Sequence, residues 1–276
     1  MTTDPATLYL DLLKRVLTRT GFDERAPVGT PRHEDGSLDL GTIAHLIEHD
    51  GVELTRRQSP DPVTREVGLD WPPPPDAETM IGTRRLENLR RCIADVIEHE
   101  VPGDVVECGV WRGGASIFMR GALEAYGDDT RNVWVCDSFA GVPPPDAEQF
   151  PADAGVDLSI FPELAVGPDQ VQRNFQRYDL LDPRVRLVPG WFKDSLPGAP
   201  IESIALLRAD GDLYESTMQI LDNLYDKVSV GGWIVIDDYG AIEACRKATD
   251  EFRAAHGVGD PFETVDWTGV CWKRRS

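Results

Sequence analysis

The 276-residue chain is short of positive charge. Its 28 Lys and Arg face 48 Asp and Glu, a formal net charge of −20. Such a surface repels phosphate backbones and anionic headgroups, so neither a nucleic-acid nor a membrane partner is expected. Cysteine is sparse too. Cys92, Cys108, Cys136, Cys245 and Cys271 are odd in number, widely scattered and form no C-x-x-C pair. That disfavours a disulfide framework and a zinc site, and fits a reducing, cytoplasmic setting. Long apolar runs are missing, so no membrane-spanning helix is expected, and the first residues carry no basic-then-apolar leader. The five histidines offer little. His45 and His49 are one helical turn apart, but no third ligand is near them. There is no G-x-S-x-G nucleophile elbow and no Walker loop.

What is present falls into zones. Residues 6–20 put Leu8, Leu12, Leu13, Val16 and Leu17 on one helical face, with Gly21 as the stop. Such a stripe packs on a core or on a neighbouring subunit, and it points to a homo-oligomer. Residues 22–78 are polar and rich in Pro, Gly and Asp, with one apolar patch at Ile43–Ile47. They end in the stiff spacer Pro72–Pro75. This zone reads as an irregular lead-in or lid without a core of its own. The expected division is therefore 1–78, an N-terminal helix and lead-in, and 79–276, the main domain.

From Met80 the texture changes. Leu86, Leu89, Ile93, Val96 and Ile97 mark an amphipathic helix. Strands are then expected at Asp104–Val110, Asn132–Asp137, Val185–Val188, Ile201–Ala209 and Trp233–Ile236. Helices are expected at Ser116–Tyr126, Gln170–Arg177, Tyr214–Tyr225 and Ile242–Ala255, with a Pro- and Asp-rich loop over 140–168. Phe262–Asp266 and Val270–Lys273 form a closing hairpin. The alternation predicts an α/β fold: a Rossmann-like, mostly parallel sheet covered by helices on both faces. The hairpin inserts an antiparallel strand, as in class I methyltransferases and unlike dinucleotide dehydrogenases. Ligands of such sheets bind beyond the C-terminal ends of the strands.

Four motifs fall at those ends. Glu107-Cys108-Gly109-Val110-Trp111-Arg112-Gly113 carries a buried strand into a glycine-rich turn and a helix. Its spacing is not that of a dinucleotide loop. Glu107 would repel a pyrophosphate and welcome an amino group. Asp137, followed by Ser138, closes the next strand, where an acid can accept bonds from both ribose hydroxyls. Asp210-Gly211-Asp212 and Asp237-Asp238 each place two carboxylates at a strand end. Adjacent parallel strands would crowd all four, and their repulsion calls for a cation such as Mg²⁺ or Ca²⁺. Capping of the following helices could account for one of each pair. Trp191 and Phe192 follow the third strand and could flank a planar base.

With these motifs in order, the chain resembles the macrocin O-methyltransferase (TylF) family. The resemblance runs from about Leu8 to Arg274. It is carried by LYLDLLKRVLT (8–18), TMIGTRRLENLRRCI (79–93), GDVVECGVWRGGASIFMR (103–120), DSFAGVPPPD (137–146), GWFKDSLP (190–197), LLRADGDLYEST (206–217), GGWIVIDDYG (231–240) and VDWTGVCWKR (265–274). It implies a Mg²⁺-dependent enzyme that methylates sugar hydroxyls of natural products from S-adenosylmethionine. It further implies cofactor contacts from Glu107, Gly109, Ser116, Asp137, Ser138 and Asp210, with Trp191 and Phe192 near adenine and Thr79 and Met80 in a covering segment. The metal ligands implied are Asp210, Asp237 and Asp238. Asp212 matches the general base, with Asp210 as the other choice within the motif. The expected partner is a glycosylated small molecule. A non-sugar, catechol-like acceptor is the alternative, because it also offers adjacent oxygens to a metal.

Overall fold

The structure, a computed structural model, describes residues 4–27, 41, 55–58, 61–68 and 74–276. Helix α1 (Pro5–Leu17) starts on the carboxylate of Asp4, which accepts from the Thr7 amide. It buries Leu13 and Leu17 of the expected stripe, with Val16 half-buried, and adds Leu10. Leu8 and Leu12 are instead 56% and 55% exposed. The buried face is therefore rotated toward Leu10, away from Leu8 and Leu12. The lead-in is less irregular than expected. Strand β1 (Glu24–Pro27) pairs antiparallel with β2 (Thr55–Gln58), and α2 (Pro62–Val67) runs between an Asp61 cap and Gly68. The Ile43–Ile47 patch and the first two residues of the Pro72–Pro75 spacer lie outside the described residues.

The main body follows in chain order as α3 (Thr83–Glu98), β3 (Asp104–Cys108), α4 (Gly114–Ala125) and β4 (Val133–Asp137). Then come α5 (Pro168–Arg177), β5 (Val185–Pro189), α6 (Phe192–Ser195), β6 (Ile204–Ala209) and α7 (Tyr214–Leu224). It closes with β7 (Val228–Ile236), α8 (Glu243–Ala255), β8 (Glu263–Thr264) and β9 (Val270–Lys273). The strands form one seven-stranded sheet in the order β5-β4-β3-β6-β7-β9-β8. The first five are parallel, and β9 enters antiparallel to β7 with Ile236 opposite Val270. The α/β expectation and the inserted hairpin strand are both met.

Side chains alternate between the two faces with the period of two that strands impose. Val105, Val133, Val135, Leu206 and Val235 meet α1, α3 and α4 on one face. Val106, Cys108, Cys136, Leu207, Ile234 and Ile236 meet α7 and α8 on the other. All five cysteines are buried and free, as small core residues. Each fully buried Leu, Ile or Val adds about 1.5–3 kcal/mol of transfer free energy. That rigid double-faced core fixes where the strands end. No described helix is long and apolar enough to cross a membrane.

Candidate active site

A cavity of about 670 Å³ opens at the C-terminal ends of the parallel strands. It is lined by Thr79, Met80, Glu107, Gly109, Asp137, Ser138, Trp191, Phe192, Asp210, Asp212, Asp237 and Asp238. Four of the five parallel strands contribute a residue at or just past their last position, and β5 does so through Trp191. Ser116 is the sequence candidate that does not line it. That side chain is fully buried and its hydroxyl donates to Glu107 from behind.

The strand ends can approach because Gly109 stands between β3 and β6. It has φ +85°, and a Cβ there would collide with the carbonyl oxygen of Asp210. Neighbouring amides complete the junction: Gly109 N–H donates to Cys136 O and Asp210 N–H to Cys108 O, each at 2.9 Å. Asp137 then fastens the glycine-rich turn. Its Oδ2 accepts from the Val110 amide and its Oδ1 from the Phe139 amide, each at 2.7 Å. The Ser138 hydroxyl adds a longer contact to Oδ1 at 3.4 Å. Burial pushes the pKa of Asp137 up, against the pull of those amides.

Covering segments meet at this turn. Gly114 N–H donates to Glu78 O, which seats Thr79 and Met80 against the start of α4. Arg112 holds the carbonyls of Pro74 and Ala77 at 2.8 Å. From the other side, the 140–168 loop supplies Val142, Pro143, Pro144 and Leu158 to the wall. Asp153 pins that loop. Its buried carboxylate accepts from the Tyr214 amide at 2.6 Å and the Glu215 amide at 3.1 Å, capping α7 immediately after Asp210-Gly211-Asp212.

The carboxylates converge. One oxygen from each of Asp210, Asp237 and Asp238 lies within 4.8 Å of the others. Asp212 stands beside them in the left-handed region at φ 54°. Asp tolerates that region better than most residues, but the conformation still carries strain, as functional positions often do. Burial, followed by repulsion from Asp210 and Asp237, drives its pKa well up. Asp238 is driven well up in the same way, by burial and then by Asp210, Asp212 and Asp237.

Two guanidiniums that the motif reading did not identify share this charge. Arg208 is 2% exposed and sits inside β6. It pairs with Glu107 Oε1 at 2.6 Å, Asp237 Oδ1 at 2.6 Å and Asp210 Oδ2 at 2.9 Å. Arg85 pairs with the second oxygen of Asp237 and, through Nε at 3.1 Å, with Asp266. Asp237, with two guanidiniums, has its pKa lowered even though burial opposes this. Glu107 must share Arg208 with two other acids, so burial prevails and lifts its pKa to about 7. A sequence signal existed for both arginines. Arg208 interrupts an apolar strand, and Arg85 falls on the buried stripe of Leu89, Cys92 and Val96.

The donor set fits a hard divalent cation. Among the described residues, Glu107, Asp210, Asp237 and Asp266 share the ion pairs of Arg85 and Arg208, and Asp212 and Asp238 add further acids beside them, which leaves a surplus of negative charge. Asp238 Oδ2 is buried without a hydrogen-bond partner among the described residues. Oxygen-only ligands of this kind suit Mg²⁺.

Comparison with known proteins agrees with this geometry. The family model described as macrocin-O-methyltransferase (TylF) matches residues 6–274. The 8-demethyl-8-(2,3-dimethoxy-α-L-rhamnosyl)-tetracenomycin-C 4'-O-methyltransferase of Streptomyces olivaceus is 46% identical, covering 99% of this chain and 95% of its own. Demethyldecarbamoylnovobiocin O-methyltransferase of Streptomyces niveus is likewise 46% identical, with the same coverage of both chains. Mycinamicin III 3''-O-methyltransferase of Micromonospora griseorubida is 44% identical, covering 97% of this chain and 96% of its own. The solved O-methyltransferase NovP superimposes with a TM-score of 0.83 at 44% identity, over 98% of this chain and all of that one.

Proposed function

The chain belongs to the macrocin-O-methyltransferase (TylF) family, and from that premise we propose that it transfers a methyl group from S-adenosylmethionine to a deoxysugar hydroxyl of a glycosylated natural product. The observation that carries the proposal is the Asp210, Asp237 and Asp238 cluster beside Asp212, set in the wall of one large cavity. The rhamnosyl group in the name of the Streptomyces olivaceus relative favours a sugar acceptor over a catechol.

Glu107, Asp137 and Ser138 would hold the amino-acid and ribose parts of the donor, and Trp191 and Phe192 its adenine. Thr79 and Met80 would close over it. Asp210, Asp237 and Asp238 would hold Mg²⁺. When bound, the cation supplies charge that acidifies an acceptor hydroxyl, and the sulfonium supplies the methyl group. Asp212 would take the hydroxyl proton at its carboxylate. Burial and neighbouring acids raise its pKa, which makes it a better proton acceptor than an exposed Asp. Arg208 and Arg85 hold Asp237 ionised and fixed. Asp153 keeps the proline-rich loop against α7 so that it can exclude water.

The test is a mass-spectrometric screen of the purified protein with S-adenosylmethionine, Mg²⁺ and a panel of glycosylated natural products beside simple catechols. A product heavier by one methyl substitution on the sugar is expected. Methylation confined to the catechols would overturn the sugar assignment.

A further inference from the structure

Trp267 lies in the turn between β8 and β9 and is 49% exposed. Of the large exposed hydrophobic residues among those described, it alone lines the cavity. Its ring is held in place. The indole Nε1–H donates to Val67 O at 2.8 Å, across to the end of α2. On one flank, Asp266 pairs with Arg85 and accepts from the Thr268 and Gly269 amides. On the other, the Thr268 hydroxyl donates to Asp237 O at 3.0 Å. An uncovered indole is fixed in this way beside a residue of the carboxylate cluster.

Strand order says which ligand meets it. The candidate donor-binding residues follow β3, β4 and β5, at one end of the sheet. The carboxylates follow β6 and β7 in the middle. Trp267 precedes β9, on the far side of the carboxylates from Trp191. A donor that fills the β3–β5 end leaves the acceptor on the Trp267 side. The indole N–H already has a partner, so the contact on offer is the ring face. An aromatic face has a negative quadrupole and a large polarisable area, which suits the C–H face of a saturated ring. A deoxysugar has such a face, and its hydroxyls project from the edge toward polar neighbours.

We propose that Trp267 is a sugar-binding platform. Its face packs on the C–H face of the acceptor sugar and sets that sugar's hydroxyl beside Asp237 and Asp238. This rests on the methyl-transfer reading above and extends it to a specificity-determining residue. It makes acceptor recognition depend first on the sugar ring and less on the aglycone.

The test compares Trp267→Ala and Trp267→Phe with the parent enzyme, using the 8-demethyl-8-(2,3-dimethoxy-α-L-rhamnosyl)-tetracenomycin C named for the Streptomyces olivaceus relative and methyl α-L-rhamnopyranoside as probes. Trp267→Ala is expected to raise the acceptor KM on the order of tenfold, with kcat, donor KM and S-adenosylhomocysteine affinity little changed. Trp267→Phe keeps a ring face and loses the N–H, and it is expected to retain most of the acceptor affinity. Saturation-transfer NMR should show aromatic irradiation reaching the rhamnoside C–H protons in the parent and not in Trp267→Ala. An unchanged acceptor KM in Trp267→Ala overturns the platform while leaving methyl transfer standing. A Phe variant as impaired as Ala also overturns it, and assigns the residue to tethering α2. A parent enzyme that neither methylates nor binds either probe overturns the platform and the acceptor class together.

Discussion

Glu107→Gln should flatten the pH dependence of stability. Glu107 is 1% exposed and its pKa is lifted from 4.5 to about 7, chiefly by burial. Arg208 at 2.6 Å and the Ser116 hydroxyl oppose that lift without cancelling it. A carboxyl whose folded pKa lies above its unfolded one binds its proton more tightly in the native state. Its contribution is therefore fully present below the unfolded value of 4.5 and is lost as pH rises through about 7. At about 1.4 kcal/mol per pH unit, the whole effect is on the order of 3 kcal/mol. Most of it, on the order of 2–3 kcal/mol, falls between pH 5 and pH 8. For a chain of this length that corresponds to a Tm change of about 5–10 °C. Gln cannot titrate. The difference in Tm between the two ligand-free proteins should shift by this amount in favour of Gln as pH rises. Losing the Arg208 ion pair adds an offset to the variant, but Arg208 keeps its charge throughout, so the slope still reports Glu107. Differential scanning fluorimetry at half-unit pH steps makes the measurement. Parallel curves would refute the claim that burial outweighs the shared guanidinium.

Asp212→Asn should lower turnover on the order of 10²- to 10⁴-fold, the usual range for a lost general base. Asn also tolerates the φ of 54°, and the change removes a buried like charge, so Tm at pH 8 should hold or rise. A large fall in Tm would show that Asp212 stabilises the fold. Asp153→Ala removes the acceptor for the Tyr214 and Glu215 amides and should cost about 0.5–2 kcal/mol. Urea unfolding reads that loss directly, and an unchanged midpoint would mean the cap is replaced by water.

The placement of the site was legible because strands, helices and hairpin alternate plainly, and because Asp210, Asp212, Asp237 and Asp238 fall at strand ends. Adjacency of β6 and β7 does the rest. Arg208 was harder to read. Its charge inside an apolar strand signals a buried partner, but Glu107 is 101 residues away and nothing local identifies it. Arg85 reaches Asp237 across 152 residues. Asp153 lies in a loop without periodicity, where a capping acid looks like any solvated one. Ser116 was expected to touch the donor; its buried hydroxyl donates to Glu107 and it does not line the cavity, a placement that spacing alone does not reveal. In α1, Leu8 and Leu12 share the expected face with Leu13 and Leu17 yet stay exposed, and the position of the sheet decides how far round the helix burial reaches.

The central claim is that carboxylates on β6 and β7 hold a divalent cation on which methyl transfer depends. Its most direct test follows a labelled methyl group from S-adenosylmethionine into rhamnosyl-tetracenomycin before exhaustive chelation, after it, and after Mg²⁺ is returned. Transfer should vanish on chelation and return with Mg²⁺, and it should not return in the Asp237→Asn, Asp238→Asn double variant. Full turnover in the chelated enzyme, or an unchanged rate in the double variant, would contradict the account.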